Sequence, residues 1–141
     1  MTRWIVAIAG ILGVIGVTIG AFAAHGLEGS LEKQLIAPED ILKRLEQCEV
    51  AVRYHMLHTL VLLGLGLSPA VVDRRRTAIA AGLVLLGIAL FSGGLYSMVF
   101  WGAMGHWAIV PCGGLCFILG WTAITTLAIG PGRAAEHSQH D

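Results

Sequence analysis

Residues 77–132, TAIAAGLVLLGIALFSGGLYSMVFWGAMGHWAIVPCGGLCFILGWTAITTLAIGPG, contain no Asp, Glu, Lys or Arg. A membrane crossing takes about 20 apolar residues to traverse roughly 30 Å of hydrocarbon, and it must close its own backbone hydrogen bonds because lipid offers no partners. The stretch is long enough for two crossings, and Gly102-Ala103-Met104-Gly105-His106-Trp107 divides it with the composition of a tight hairpin. The crossings are expected at 77–101 and 108–129. Upstream, 4–27 and 54–72 are equally free of charge, and each holds one more crossing, at 4–24 and 54–72. The pattern predicts an all-α membrane protein, a compact bundle of four transmembrane helices forming one domain over 1–133. A polar tail, 134–141, follows with His137 and His140.

Composition agrees with that reading. The chain is 56% hydrophobic and 13% charged, with a mean hydropathy of +0.78, too apolar for a soluble domain of this size. Acidic and basic residues balance at nine each, so no electrostatic footprint points to nucleic acid. The expected partner is the lipid bilayer, joined by a second copy or a larger membrane complex. Arg3 followed by an apolar run ending in Ala21-Phe22-Ala23 also has the outline of a secretory signal peptide. That alternative is opposed by the length of the run and by Gly10, Gly13, Gly16 and Gly20, whose spacing makes a seam for close helix approach.

Arg3, Arg74, Arg75, Arg76 and Arg133 fall on one side of this arrangement, which places both termini in the cytoplasm by the positive-inside rule. The protein is accordingly expected as a multi-pass protein of a plasma membrane. Trp4 is expected at the inner interface, and Tyr54, Trp101 and Trp107 at the outer one. Trp121 falls inside a span and calls for a packing partner.

The connection 25–53 carries the chemistry of a soluble surface. Pro38-Glu39-Asp40 reads as a first helical turn. Glu39 with Lys43, Asp40 with Arg44 and Glu49 with Arg53 pair at four-residue spacing on one face, opposite an apolar stripe of Ile41, Leu45, Cys48 and Val52. This amphipathic helix, about 38–53, either lies in the interface or continues into the second span.

Chemistry at the membrane boundary rests on histidine. His25 ends the first span, while His55 and His58, three residues apart, open the second close enough in angle to face one partner. Imidazole suits copper, zinc or haem iron, so the three are the candidate metal ligands, and ionisable groups there are costly enough to suggest function. The plainer role for each is bonding to nearby backbone. Cys48, Cys112 and Cys116 read as small apolar fillers and form no CxxC, c-type haem or disulfide pattern. No cofactor is specified, and none is the simplest expectation.

Ser92 and Tyr96 are the main polar pair at membrane depth, suited to interhelical hydrogen bonds or to a small polar path. With His25, Tyr54, His55 and His58 they make up the candidate ligand-binding set. Gly82, Gly87, Gly93 and Gly94 on the third span, and Gly113, Gly114 and Gly120 on the fourth, favour a tight bundle over a wide pore. There is no Walker loop, HExxH or nucleophile elbow, so no catalytic residue is assigned.

Four blocks in order carry a family resemblance: Gly20-Ala-Phe-Ala-Ala-His-Gly-Leu27, Arg53-Tyr-His-Met-Leu-His-Thr-Leu60, Phe91-Ser-Gly-Gly-Leu-Tyr96 and Pro111-Cys-Gly-Gly-Leu-Cys-Phe-Ile-Leu-Gly-Trp121. The chain resembles domain-of-unknown-function family 423, small four-helix proteins of bacterial inner membranes with relatives similar to human transmembrane protein 256. The resemblance covers residues 4 to about 129 and implies the same topology but no reaction. Its pattern falls on Gly20, Phe22, His25, Tyr54, His58, Ser92, Gly93, Tyr96, Pro111, Gly113, Gly114, Gly120 and Trp121. Ala23, His55 and Val110 depart from it, standing where such proteins often have Gly, Gln and Thr. That departure makes His25 and His58 the better candidates for a shared site.

Overall fold

The computed structural model of the chain describes residues 2–68, 73–102 and 107–128. The hairpin centre with His106, the expected end of the second span at 69–72, Ile129, Arg133 and the tail with His137 and His140 lie outside the described residues. Among the described residues the protein is an all-α membrane bundle, with four helical stretches long and apolar enough to cross a bilayer.

Helix α1 (Thr2–His25) is the first crossing. A short α2 (Leu27–Glu32) buries Leu27 and Leu31, one turn apart, and leaves its other residues out. It ends in a turn where Leu35 takes a left-handed φ of 57°. Helix α3 (Pro38–Leu67) starts on a proline, whose missing N–H is no loss in a first turn. It then runs for 30 residues without a break, so the amphipathic segment and the second crossing are one helix. Ser68 leaves the helix in an extended conformation.

From Tyr54 to Leu67 the helix is about 21 Å long at 1.5 Å per residue, and the unbroken stretch long and apolar enough to cross a bilayer is Pro38–Leu67. Glu49 and Arg53 pair with each other on its exposed face.

The third crossing is built from α4 (Arg74–Gly87), a π-helical segment Ile88–Ser92, and α5 (Gly93–Trp101). Asp73 caps α4, accepting from the backbone N–H of Arg75 at 2.8 Å. Gly102 closes α5 at a φ of 63°, its N–H donating to Met98 O at 3.1 Å. There Arg44 of α3 donates to Val99 O at 3.3 Å, satisfying one of the free carbonyls at the helix end. The fourth crossing, α6 (Ile109–Ala128), carries Pro111 in its first turn.

Two helix pairs make the bundle. α1 lies along α3, α4 with the π-segment lies along α6, and α3 joins the pairs by packing on the π-segment and α5. Lipid is as apolar as these side chains, so close backbone approach supplies the association. Glycine decides where that is. A β-carbon on Gly113 would lie 2.8 Å from both Cα and Cβ of Phe91, one on Gly87 would lie 3.0 Å from Phe117 Cγ, and one on Gly66 would lie 2.8 Å from Val6. Gly16 and Gly20 face Met56 and Val52 of α3, and Gly120 faces Val84.

At other expected seam residues no helix comes as close. A β-carbon on Gly10 or Gly13 would meet nothing within 4 Å, Gly93 is open but for a backbone oxygen 4.0 Å away, and Gly114 makes only ordinary contact. Residues 10 and 13 are turned about 60–120° from Gly16 around α1 at 100° per residue, which takes them off the face against α3.

Candidate functional site

Counted back from Leu67 at 1.5 Å per residue, His58 and His55 lie about 14 and 18 Å along α3, inside the helical stretch apolar enough to cross a bilayer. Both are buried, at 5% and 2% exposure. Imidazoles at this depth need internal partners, and each has a different one.

His58 is held on every side. Its Nδ1 lies 2.8 Å from Tyr54 O one turn earlier on α3, and the indole Nε1 of Trp121 on α6 donates to its Nε2 at 3.3 Å. An indole N–H only donates and a carbonyl only accepts, so the ring is neutral with its proton on Nδ1. The imidazole stacks on Phe117 with centroids 3.6 Å apart and on Tyr54 at 5.9 Å. Tyr54 in turn packs on Phe91 at 4.7 Å. Phe117 reaches the histidine because Gly87 and Gly113 bring α6 against the third crossing. Trp121, which the sequence left without a partner, is thus the anchor of this cluster.

His55 points elsewhere. Its Nδ1 is 3.2 Å from the Tyr96 hydroxyl on α5, and its Cδ2 faces Gly16 of α1. The ring also bears on the Leu12 backbone, but its Nε2 closes no hydrogen bond of ordinary geometry. Ser92, one turn before Tyr96 and fully buried, likewise keeps its Oγ without a partner. It sits in the π-helical segment, a distortion often found where a helix is reshaped around a functional group. His55 Nε2 and Ser92 Oγ are thus the two buried side-chain polar atoms without a geometric hydrogen-bond partner among the described residues.

The six candidate ligand residues thus divide. His55 and Tyr96 form one group, Tyr54 and His58 with Trp121 a second, Ser92 is buried one turn before Tyr96, and His25 stays exposed at the end of α1. His25 is nine residues beyond Gly16, where α1 meets His55, an axial separation of about 13 Å. His55 and His58 do not face one partner, because α5 takes one ring and α6 the other. Among the described residues no three His, Cys, Asp or Glu side chains are grouped to hold a metal ion. Cys48 is buried against the α2 cluster, whereas Cys112 is exposed. Tyr54, expected at the outer interface, is 40% exposed and packs on Phe91 and His58. Trp4, Trp101 and Trp107 are exposed, as interfacial rings are.

Comparison with known proteins gives one family. A family profile described as protein of unknown function (DUF423) matches residues 19–114. The chain is 35% identical over 139 residues to the UPF0382 inner membrane protein YgdD of Escherichia coli (strain K12), covering 91% of each chain. It is 36% identical over 112 residues to a UPF0382 membrane protein of Haemophilus influenzae, covering 79% of this chain and 82% of the relative. With the UPF0382 membrane protein YwdK of Bacillus subtilis it shares 35% identity over 117 residues, 82% of this chain and 88% of the relative. No solved structure matches the chain.

Proposed function

This chain belongs to the DUF423 family of membrane proteins of unknown function, and we propose that it acts as a structural or accessory subunit that associates through the outward face of α1. The observation that supports this reading is the open space over Gly10 and Gly13, two open glycines one turn apart on α1, whereas Gly64 and Gly82 are open singly and Gly16, Gly20, Gly66, Gly87, Gly113 and Gly120 are met by neighbouring helices. Gly10 shares one helix face with Val14, Val17 and Ala21, all exposed, and a smooth apolar face of small residues suits a helix of a second copy or of a larger complex. The relatives' names support residence in the inner (plasma) membrane. Gly66 meets Ile5 and Val6, and Arg76 donates to Thr126 O at 3.4 Å. Arg3 and Arg74–Arg76 therefore share one end of the bundle, which supports cytoplasmic termini. The test is native-size analysis in mild detergent of wild type beside Gly10→Leu/Gly13→Leu. A complex larger than the monomer that the variant loses is the expected result. An isolated monomer with no co-purifying partner overturns the reading.

The orphan atoms His55 Nε2 and Ser92 Oγ favour a second reading, a site for a small polar ligand or metal in the bundle centre. Metal analysis and an absorption spectrum of the purified protein, beside His55→Ala, test it. A stoichiometric metal or chromophore that the variant lacks supports the reading, and a colourless, metal-free protein removes its metal form.

A further inference from the structure

At the start of the third crossing, Asp73 has both carboxylate oxygens engaged. Its Oδ1 accepts from the backbone N–H groups of Arg75 and Arg76 at 2.8 and 3.4 Å, and its Oδ2 pairs with the Arg76 guanidinium at 3.5 Å. Arg76 also donates to Thr126 O at 3.4 Å, over the end of α6. The exposed side chains of Arg74 and Arg75 make no ion pair or hydrogen bond among the described residues. Two guanidinium groups therefore stand unneutralised in the first turn of α4, where the helix dipole adds positive potential.

Below Arg75 the outward face of α4 is apolar. Ile79, Gly82 and Leu86 lie within about 40° of Arg75 around the helix at 100° per residue. All three are exposed, Ile79 by 51% and Leu86 by 47%. A β-carbon on Gly82 would meet nothing within 4 Å, so this residue leaves a notch between two branched side chains. The stripe runs from the charged end into the span. Leu86 is eleven residues beyond Arg75, about 16 Å at 1.5 Å per residue, which matches one leaflet, half of roughly 30 Å of hydrocarbon.

We propose that this face of α4 binds an anionic phospholipid. The phosphate accepts from Arg74 and Arg75, and one acyl chain runs down the stripe through the notch at Gly82. Charge complementarity and the direction of the stripe select this occupant. A phosphodiester matches the paired N–H groups of a guanidinium with charge-assisted hydrogen bonds, and the neighbouring carboxylate, Asp73, is already engaged. A zwitterionic headgroup brings its own cation against two arginines, and free phosphate has no chain to lie over Gly82. The proposal does not depend on the face of α1 carrying Gly10 and Gly13.

Native mass spectrometry of the full chain in mild detergent, titrated with phosphatidylglycerol and phosphatidylcholine of identical acyl chains, tests it. Phosphatidylglycerol is expected to bind roughly 25-fold more tightly, about fivefold for each free arginine at the interface. Arg74→Gln/Arg75→Gln changes side chains without a fold contact and should bring the two lipids to near parity. Lys43→Gln, exposed toward the opposite end of the bundle, should leave the preference intact. Gly82→Phe, which fills the notch, should weaken phosphatidylglycerol, and excess inorganic phosphate should displace little of the bound lipid. Equal binding of the two lipids by wild type, a preference kept in the arginine variant or lost equally in Lys43→Gln, undiminished binding in Gly82→Phe, or full displacement by inorganic phosphate would overturn the proposal.

Discussion

Gly113→Ala should damage this bundle far more than its chemistry suggests, because the added methyl group meets backbone. Its β-carbon would lie 2.8 Å from Phe91 Cα and Cβ and closer still to the Phe91 nitrogen, whereas ordinary contact begins at 3.4 Å. Helix α6 must therefore move away from the π-segment by at least about 0.6 Å, the difference between those two distances. A helix backbone cannot yield as a side-chain tip can, so the expected loss is that of an over-packed core, about 1–3 kcal/mol. The displacement also draws α6 away from α3, lengthening the 3.3 Å bond from Trp121 to His58. Gly114→Ala is the control, since its β-carbon would come no nearer than 3.9 Å to Phe91. Thermal unfolding in mild detergent, with Trp emission recorded on the folded protein, measures both effects. Gly113→Ala should unfold at a clearly lower temperature and shift the emission, with Gly114→Ala close to wild type. Equal midpoints for the two variants would refute the packing of α6 on Phe91.

Trp121→Phe keeps an aromatic ring but leaves the buried His58 Nε2 without its donor, and Tyr96→Phe removes the bond to His55. Polar bonds between membrane helices average about 0.6 kcal/mol and reach about 1.7. Each variant should lose stability within that range in a reversible unfolding assay, and the double variant should show near-additive losses, because the bonds lie on different helix pairs. Leu35, at a φ of 57° and 94% exposed, is strained without being packed. Leu35→Asn should therefore gain up to about 1 kcal/mol, since Asn tolerates the left-handed region; an unchanged or lowered midpoint would count against that strain.

The sequence determined the solvent this protein lives in and the number of its crossings. Charge inside hydrocarbon is so costly that the uncharged intervals alone mark out a four-helix membrane protein. It also marked the residue types at stake: the histidines of α3, Tyr96, Ser92 and the glycines. What it could not give was depth or partnership. The expected span start at Tyr54 followed the last charge, and only the structure joins the amphipathic segment and the crossing in one helix, Pro38–Leu67, and buries His55 and His58 within it.

Helical periodicity gives the angle between two side chains on one helix, and at three residues apart the two imidazoles could have faced one partner. Which helices come to meet them is set by backbone approach at Gly16, Gly87 and Gly113. Those contacts send His55 to Tyr96 and His58 to Trp121, and leave His25 at the end of α1. The π-helical turn carrying Ser92 has no signature in the composition of Ile88–Ser92. Glycine spacing likewise could not separate Gly16, pressed on α3, from Gly10, facing outward. A glycine records only that a close approach is allowed, and the tertiary structure decides which helix makes it.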